Sequence, residues 1–346
     1  MVEAIMVVTA AADAAQQARG GLRAMDPTRD LRVIADLISE AFAHELDARG
    51  RTALRELQWM ARLTPLVWWW SQADPSFREA FNGFVWEEPV PGRRGQRIVG
   101  NVSLNRAPGS RSRWIICNVV VQDAYRNQGI GRKLTDAAIA EARELGARGV
   151  LLQVYEDNSP ALHLYSSLGF QEVTGETDVQ LETIGSAAFF DAPGYRLRAW
   201  QPSDGAAAYQ LAQLVTAEAR RWIRPIQAGE YQLDWLTRLG RAIGDLLAGR
   251  RIYRLVALRE ERLVAMMTVT ATLRHDEHRL ELLVHPEHTG QLELALVSRT
   301  LHMLAGIPSR PVVTTVETGH AATLKVLQEC GFARKRTLLT LYRSLG

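Results

Sequence analysis

The sequence predicts an α/β (α+β) protein in which two similar domains stand in tandem. Three observations carry this. The chain has 346 residues, more than one typical domain; its second half repeats its first; and in each half short strand-like runs alternate with segments of helical period. Hydrophobic residues make up 47% of the chain and charged ones 23%, a balance that suits buried cores and excludes a disordered chain.

The repeat fixes the boundaries. Leu22-Arg23-Ala24-Met25-Asp26-Pro27-Thr28 aligns with Leu197-Arg198-Ala199-Trp200-Gln201-Pro202-Ser203, an offset of 197 − 22 = 175. Arg97-Ile98-Val99-Gly100 aligns with Arg262-Leu263-Val264-Ala265 at an offset of 165, Val121 with Val284 at 163, and Gly169-Phe170 with Gly331-Phe332 at 162. Loop deletions produce such a drift, and a period this long means two domains rather than a repeat array. The Gly-, Ala- and Pro-bearing stretch from Ile184 to Gly194 is the expected linker, giving an N-terminal domain over 1–190 and a C-terminal one over 191–346.

Taken in order, Leu22 to Ala24 reads as a first strand, followed by a helix entered through Pro27. Leu31, Ile34, Leu37, Ile38 and Phe42 fall at helical spacing over 29–45, and 51–64 continues as a second helix. Phe84 to Glu88 and Gln96 to Arg106 read as a hairpin around the turn-rich Pro89 to Gly95. A central strand from Trp114 to Val121, a helix from about Arg132 to Leu145, a strand over 149–156, a helix around Tyr165 and a final hairpin from about Phe170 to Thr183 complete the first copy.

Between the central strand and its helix lies Gln122-Asp123-Ala124-Tyr125-Arg126-Asn127-Gln128-Gly129-Ile130-Gly131. Strand, glycine loop and helix in this order make an anion site, because glycine lets the backbone approach a ligand and the helix presents its positive dipole end. Spacing limits whose anion it is. Lys133 is followed by Leu134 and sits one residue too far from Gly131 for a P-loop, and Leu134 stands where a dinucleotide fingerprint needs its third glycine.

The stretch Arg126-Asn127-Gln128-Gly129-Ile130-Gly131 resembles the pyrophosphate loop of the GCN5-related N-acetyltransferases, Arg/Gln-x-x-Gly-x-Gly/Ala. Asn158-Ser159-Pro160-Ala161-Leu162-His163-Leu164-Tyr165-Ser166-Ser167-Leu168-Gly169-Phe170 is similar to that family's Asn-x-x-Ala-x-x-x-Tyr-x-x-x-Gly-Phe helix. The resemblance implies two tandem domains of this fold, each a mixed, mostly antiparallel sheet flanked by helices. It also implies acetyl transfer from acetyl-CoA to a primary amine, without a metal.

The implied roles follow residue by residue. Main-chain N–H groups of Val119, Val120 and Val121 would hold the oxyanion and pair with pantetheine. The loop Arg126, Asn127, Gln128, Gly129, Ile130, Gly131 and Arg132 would take the diphosphate, with Arg126, Arg132 or Lys133 near the phosphates. Asn158 would bond pantetheine or fix its helix, and Tyr165 would protonate the departing thiolate, a phenol of pKa about 10 against a thiol of about 8.5. The amine, with a pKa near ~10, must first lose a proton. Relatives that acetylate ribosomal-protein N-termini use a Glu for this; the matching residue here is Gln153, which cannot act as a base. Glu87, Glu88, Glu156 and Asp157 remain candidates through water.

In the second copy the loop reads Thr289-Gly290-Gln291-Leu292-Glu293-Leu294: both glycines are leucine, Asn158 becomes His320 and Tyr165 becomes Leu327. The expectation is a degenerate copy that has lost cofactor binding. Trp59, Trp68, Trp69 and Trp70 place the acceptor, or an inter-domain contact, near the first helices, where aromatic walls suit an apolar or cationic group.

A net charge of +3, from 41 basic and 38 acidic residues, argues against a nucleic-acid partner. Cys117 and Cys330 have no metal-ligand spacing and read as buried thiols of a reducing compartment. Met1 to Gln17 lacks a basic n-region, and no apolar run reaches membrane-spanning length, so the expectation is a cytoplasmic protein off the membrane, as monomer or homodimer. The acceptor is a small-molecule or peptide amine. Two other readings stay open: an acyl-CoA sensor or scaffold that does not turn over, and aminoacyl transfer from charged tRNA.

Overall fold

The computed structural model describes residues 21–41, 82–90, 95–185, 189–232, 235–273 and 277–346. The chain divides into two compact units, one of Met1–Leu152, Leu164–Gln171 and Tyr342–Gly346, the other of Gln153–His163 and Glu172–Leu341. The expected helix over 51–64 and the four clustered tryptophans lie outside the described residues.

In the first unit β1 (Gly21–Ala24), β2 (Gly83–Pro89), β3 (Gln96–Arg106), β4 (Arg113–Val121) and the start of β5 (Gly149–Tyr155) lie side by side in chain order. All pairs are antiparallel except β4 with β5, which is parallel. Helix α1 (Pro27–Ala41) places Leu31, Ile34, Leu37 and Ile38 inward, three of them in a core with Val85, Ile98 and Val120. Asp26 caps it, its side chain accepting the Thr28 N–H at 2.9 Å, and Pro27 opens it without a lost donor. Helix α2 (Ile130–Glu144) buries Ile130, Leu134, Ala138, Ile139 and Ala142, and starts two residues before the expected Arg132 because Ile130 belongs to this stripe.

Helix α3 (Ser159–Ser167) carries Tyr165. Strand β6 (Gln171–Leu181) departs from expectation. No hairpin forms between Phe170 and Thr183; β6 is one continuous strand, from Glu172 onward part of the second unit, and runs antiparallel there to residues 312–317, Leu181 facing Val312 through Glu176 facing Glu317. Within it Gly175 is a point of close approach: a Cβ there would lie 2.9 Å from Thr318 Cγ2 and 3.0 Å from Leu339 Cδ2.

The second unit repeats the plan. Its strands are β7 (Arg196–Ala199), β8 (Arg250–Arg259), β9 (Arg262–Thr272), β10 (His278–Val284), β11 (Val312–Glu317) and β12 (Ala333–Ser344), in the order β7-β8-β9-β10-β11-β6-β12. Here too one pair, β10 with β11, is parallel between the counterparts of β4 and β5. Its helices are α4 (Gly205–Val215), α5 (Glu218–Ile223), α6 (Ala228–Tyr231), α7 (Trp235–Leu247), α8 (Glu293–Leu304) and α9 (Ala321–Glu329).

A polar network marks the duplication as plainly as the sheets do. Arg23 donates to Asp30 at 2.6 and 2.9 Å, and Asp30 also accepts the Asp26 N–H at 2.8 Å. Arg198 donates to Asp204 at 2.7 Å through both nitrogens, and Asp204 accepts the Gln201 N–H at 2.7 Å. In each unit the fork ties the first strand to the start of the following helix.

Candidate active site

Strands β4 and β5 pair only from Arg113 to Ile115, facing Gly149 to Leu151. Beyond Ile115 they part, so the later peptide groups of β4 face a wedge instead of a neighbouring ladder. On its other edge β4 gains one residue against β3. Asn101 faces Val120 but Ser103 faces Cys117, so Asn118 and Val119 together oppose Val102. This is a β-bulge, and Asn118, at φ 52°, takes the left-handed conformation that such a kink requires. The residues expected to supply oxyanion donors therefore begin at a break in the sheet.

The loop after β4 makes a 3-10 turn over Asp123–Tyr125, and Asn127 (φ 61°) and Gly129 (φ 78°) are left-handed. Gly129 caps α2 without any side-chain hydrogen bond, and the first bond back into the loop is the Lys133 N–H to the Gly129 carbonyl at 3.1 Å. The N–H groups of Ile130, Gly131 and Arg132 precede any possible intrahelical partner. Arg126 to Gly129 are exposed, so this open helix end faces solvent. A Cβ on Gly129 would touch nothing, while one on Gly131 would meet Leu164 Cδ2 at 3.6 Å and Val121 Cγ2 at 3.9 Å. Gly129 is thus demanded by its conformation, whereas Gly131 leaves room beside Leu164.

The basic residues divide. Arg126 pairs with Asp123 at 2.8 Å and reaches the Val121 carbonyl at 3.3 Å, folded over the mouth of the loop. Arg132 donates to Ser167 Oγ, tying α2 to α3. Lys133 sits over the Trp86 ring at 4.6 Å.

Tyr165 is buried, 6% exposed, with its ring edge-on to Phe170 at 5.9 Å. Its hydroxyl makes no hydrogen bond among the described residues. Burial pushes the phenol up to about 12, which keeps it protonated at neutral pH. Asn158 caps α3: its side-chain oxygen accepts the Ala161 N–H at 3.2 Å. Nearby on β4, Cys117 accepts from Asn105 Nδ2 at 3.3 Å, and burial pushes its thiol up to about 12, so it stays a neutral thiol.

The carboxylates suggested as bases are mostly engaged. Glu87 accepts from Arg23 at 2.6 Å, Glu88 from Trp86 Nε1 at 2.7 Å, and Glu156 from Arg334. Gln153 donates to Thr340 Oγ1 at 3.3 Å. Asp157 is exposed.

In the second unit the same strand-turn-helix runs from β10 through Pro286–His288 to α8, and left-handed Gly290 (φ 84°) takes the place of Asn127. Glu293, fully buried, fills the anion position itself. Its carboxylate accepts the Gly290 N–H at 2.9 and 2.8 Å, the Leu292 N–H at 3.2 Å and the Thr323 hydroxyl at 3.0 Å. The pattern Gly290-x-x-Glu293 resembles a capping motif, and that was the available sequence signal for this self-liganded loop. In the adjoining turn, His285, Glu287 and His288 bring possible ligand atoms within 4.8 Å of one another. The Nδ1 atoms of the two histidines already bond the Glu287 N–H and the Tyr195 hydroxyl, and Arg259 lies over Tyr195, so the trio is knitted internally beside a positive charge.

Residues 45–170 match the acetyltransferase (GNAT) family. A mycothiol acetyltransferase of Amycolatopsis mediterranei is 38% identical over 101 residues, 28% of this chain and 28% of that protein's own length. A GCN5-related N-acetyltransferase from Sphaerobacter thermophilus has a similar fold, with a TM-score of 0.58 at 17% identity, over 94% of this chain and 96% of that one. So does a tandem GNAT protein from the clavulanic acid biosynthesis pathway, with a TM-score of 0.52 at 19% identity, over 95% of this chain and 99% of that one.

Proposed function

We propose that this chain, which belongs to the acetyltransferase (GNAT) family through residues 45–170, transfers an acetyl group from acetyl-CoA to a primary amine at a site in its N-terminal half. The observation that carries this reading is the coincidence, in one compact unit, of an uncapped helix end behind Gly129, a bulged strand edge at Val119 and a buried Tyr165 whose hydroxyl makes no hydrogen bond among the described residues. In this reading residues 1–190 form the working domain and 191–346 a copy that no longer binds cofactor. Glu293 supports the second part, because a ligand diphosphate there would have to displace a buried carboxylate from its donors.

The chemistry follows from the geometry. The diphosphate lies on the N–H groups from Asn127 to Arg132, with Arg126 released from Asp123 to meet it. The thioester carbonyl lies at the bulge, where Val119 to Val121 offer N–H groups to the oxygen as it becomes an oxyanion. The amine nitrogen bonds to the carbonyl carbon, the C–S bond breaks, and the proton of Tyr165 passes to the sulfur. With the phenol pushed up to about 12 and a free thiol near ~8.5, the transfer is uphill even to the departed thiolate, so Tyr165 acts last, after the C–S bond breaks. Of the four candidate carboxylates Asp157 alone makes neither a side-chain hydrogen bond nor an ion pair among the described residues, and it serves as base through water. The acceptor is a small-molecule or peptide amine, the setting is cytoplasmic, and no metal takes part.

The test is thiol release from acetyl-CoA with a panel of amines, comparing the natural chain with Tyr165→Phe. Turnover that slows in Tyr165→Phe without loss of acetyl-CoA affinity supports the assignment. Tight binding without thiol release for any amine would favour a non-catalytic acyl-CoA sensor, a reading to which the engaged Glu87, Glu88 and Glu156 lend weight.

A further inference from the structure

Asn101 on β3 is fully buried, at 0% exposed, where an amide is costly unless bonded. Its Nδ2 donates to the Asn118 carbonyl at 3.0 Å and lies 3.4 Å from Ser103 Oγ, to which Asn118 Nδ2 also donates at 3.3 Å. Its Oδ1 is buried without a partner among the described residues. The reverse orientation of the amide would set two oxygens against each other, so the Asn118 carbonyl fixes which way the group points. A side chain that leaves a buried acceptor unsatisfied is a poor choice for packing alone.

The bulge explains the choice. Opposite Val102 the ladder accommodates one residue, and Asn118 is the extra one, in a left-handed conformation. Its carbonyl therefore takes its hydrogen bond from a side chain of the adjacent strand. That carbonyl and the Val119 N–H belong to one rigid, planar, trans peptide unit, so fixing the first sets the direction of the second.

We propose that Asn101 is a positioning residue for acetyl transfer: by holding the Asn118 carbonyl it aims the Val119 N–H at the thioester oxygen. The proposal rests on the acetyl-CoA reading above. Asn101 touches no reacting atom; it acts through the peptide that does.

The experiment uses the full chain, acetyl-CoA carrying a 13C-labelled carbonyl, and the variants Asn101→Leu and Asn118→Gly. Asn101→Leu removes the donor while keeping the branching and the number of side-chain heavy atoms. Its turnover is expected to fall roughly tenfold to a hundredfold, below the loss for deleting an oxyanion donor outright, with CoA affinity unchanged. The infrared band of the bound carbonyl, shifted to lower frequency in the natural protein, should move back toward its value in water. Asn118→Gly keeps the left-handed backbone and the carbonyl, and should leave the band in place.

A folded Asn101→Leu with unaltered turnover and band overturns the proposal, as does a parallel collapse of CoA affinity, which would make Asn101 a fold residue only. An Asn118→Gly effect as large as that of Asn101→Leu overturns it too. If Asn101→Leu does not fold, the Asn101 side-chain amide resonance of the natural protein decides: it should shift with acetyl-CoA beyond the change caused by CoA, and no difference overturns the proposal. Failure of the natural protein to bind acetyl-CoA would instead sink the site assignment before any variant is compared.

Discussion

The carboxylate of Glu293 accepts the Gly290 N–H at 2.9 and 2.8 Å, occupying from within the loop the anion position that the first copy leaves open around Gly129. That side chain, with Leu292 and Leu294 in the places of Gly129 and Gly131, separates two otherwise parallel strand-turn-helix units. Substituting it should expose what it holds. Glu293→Ala strands the Gly290 and Leu292 N–H groups and the Thr323 hydroxyl, and is expected to cost about 3 kcal/mol, given ~1–3 for each buried group left unsatisfied. Urea unfolding should show a lower midpoint at unchanged slope. Equal stability would mean that the carboxylate is not the keystone of that loop.

The two glycines of the first loop should respond differently. Gly131→Ala meets only ordinary contacts at 3.6 and 3.9 Å, so helix propensity should leave stability unchanged or raise it by about 0.5–1 kcal/mol while acetyl-CoA affinity falls. Gly129→Ala has space but the wrong conformation, and should lose about 1–2 kcal/mol from forcing φ 78° on an alanine. Melting curves and titrations on both variants separate these effects.

Tyr165→Phe should lower kcat by about a hundredfold to ten-thousandfold, the range for a lost general acid. Its stability should stay within about 0.5 kcal/mol, because the hydroxyl makes no hydrogen bond among the described residues. The phenol pushed up to about 12 has a clear pH consequence. Tyr165 remains protonated far above neutrality, so rates should rise as the acceptor amine deprotonates, with no falling limb due to Tyr165 below about pH 11. A falling limb near about pH 9 that disappears in Tyr165→Phe would contradict this placement.

The repeated Arg-Asp forks predict a pH-dependent loss. The Arg198 hydrogen bond holds the Asp204 carboxyl below its ordinary value. A folded-state pKa that is depressed stabilises the fold above the unfolded value, near ~3.9, and that stability disappears as pH falls through the folded value. Arg198→Ala should therefore cost about 1–2 kcal/mol at neutral pH, discounted because the guanidinium is about a quarter exposed. The gap from the natural protein should narrow in acid, as followed by thermal melts at several pH values.

Much of this was legible in the sequence because local chemistry and global fold agree. Gly129-Ile130-Gly131 and Tyr165-x-x-x-Gly169-Phe170 each carry a backbone or spacing demand that composition alone cannot hide. The offset of the two Leu-Arg-Ala openings anticipated a duplicated first strand and helix start, though not the forks that Asp30 and Asp204 complete, since partners seven and six residues away leave no periodic mark. The bulge was invisible: Asn118 becomes left-handed through its register against β3, a property of the pairing and not of the segment. The expected final hairpin does not form because Glu176 to Leu181 pair with Val312 to Glu317, a long-range partner that the local pattern of 170–183 does not reveal. Nor could the sequence show that Lys133 is drawn to Trp86.

The two loops together predict one working acetyl-CoA site per chain, in the first copy. Calorimetric titration of the full chain with acetyl-CoA, alongside Gly129→Leu and Glu293→Ala, tests it most directly. One equivalent bound, abolished by Gly129→Leu and retained in Glu293→Ala, is the predicted result; two equivalents, or binding that survives Gly129→Leu, would contradict it.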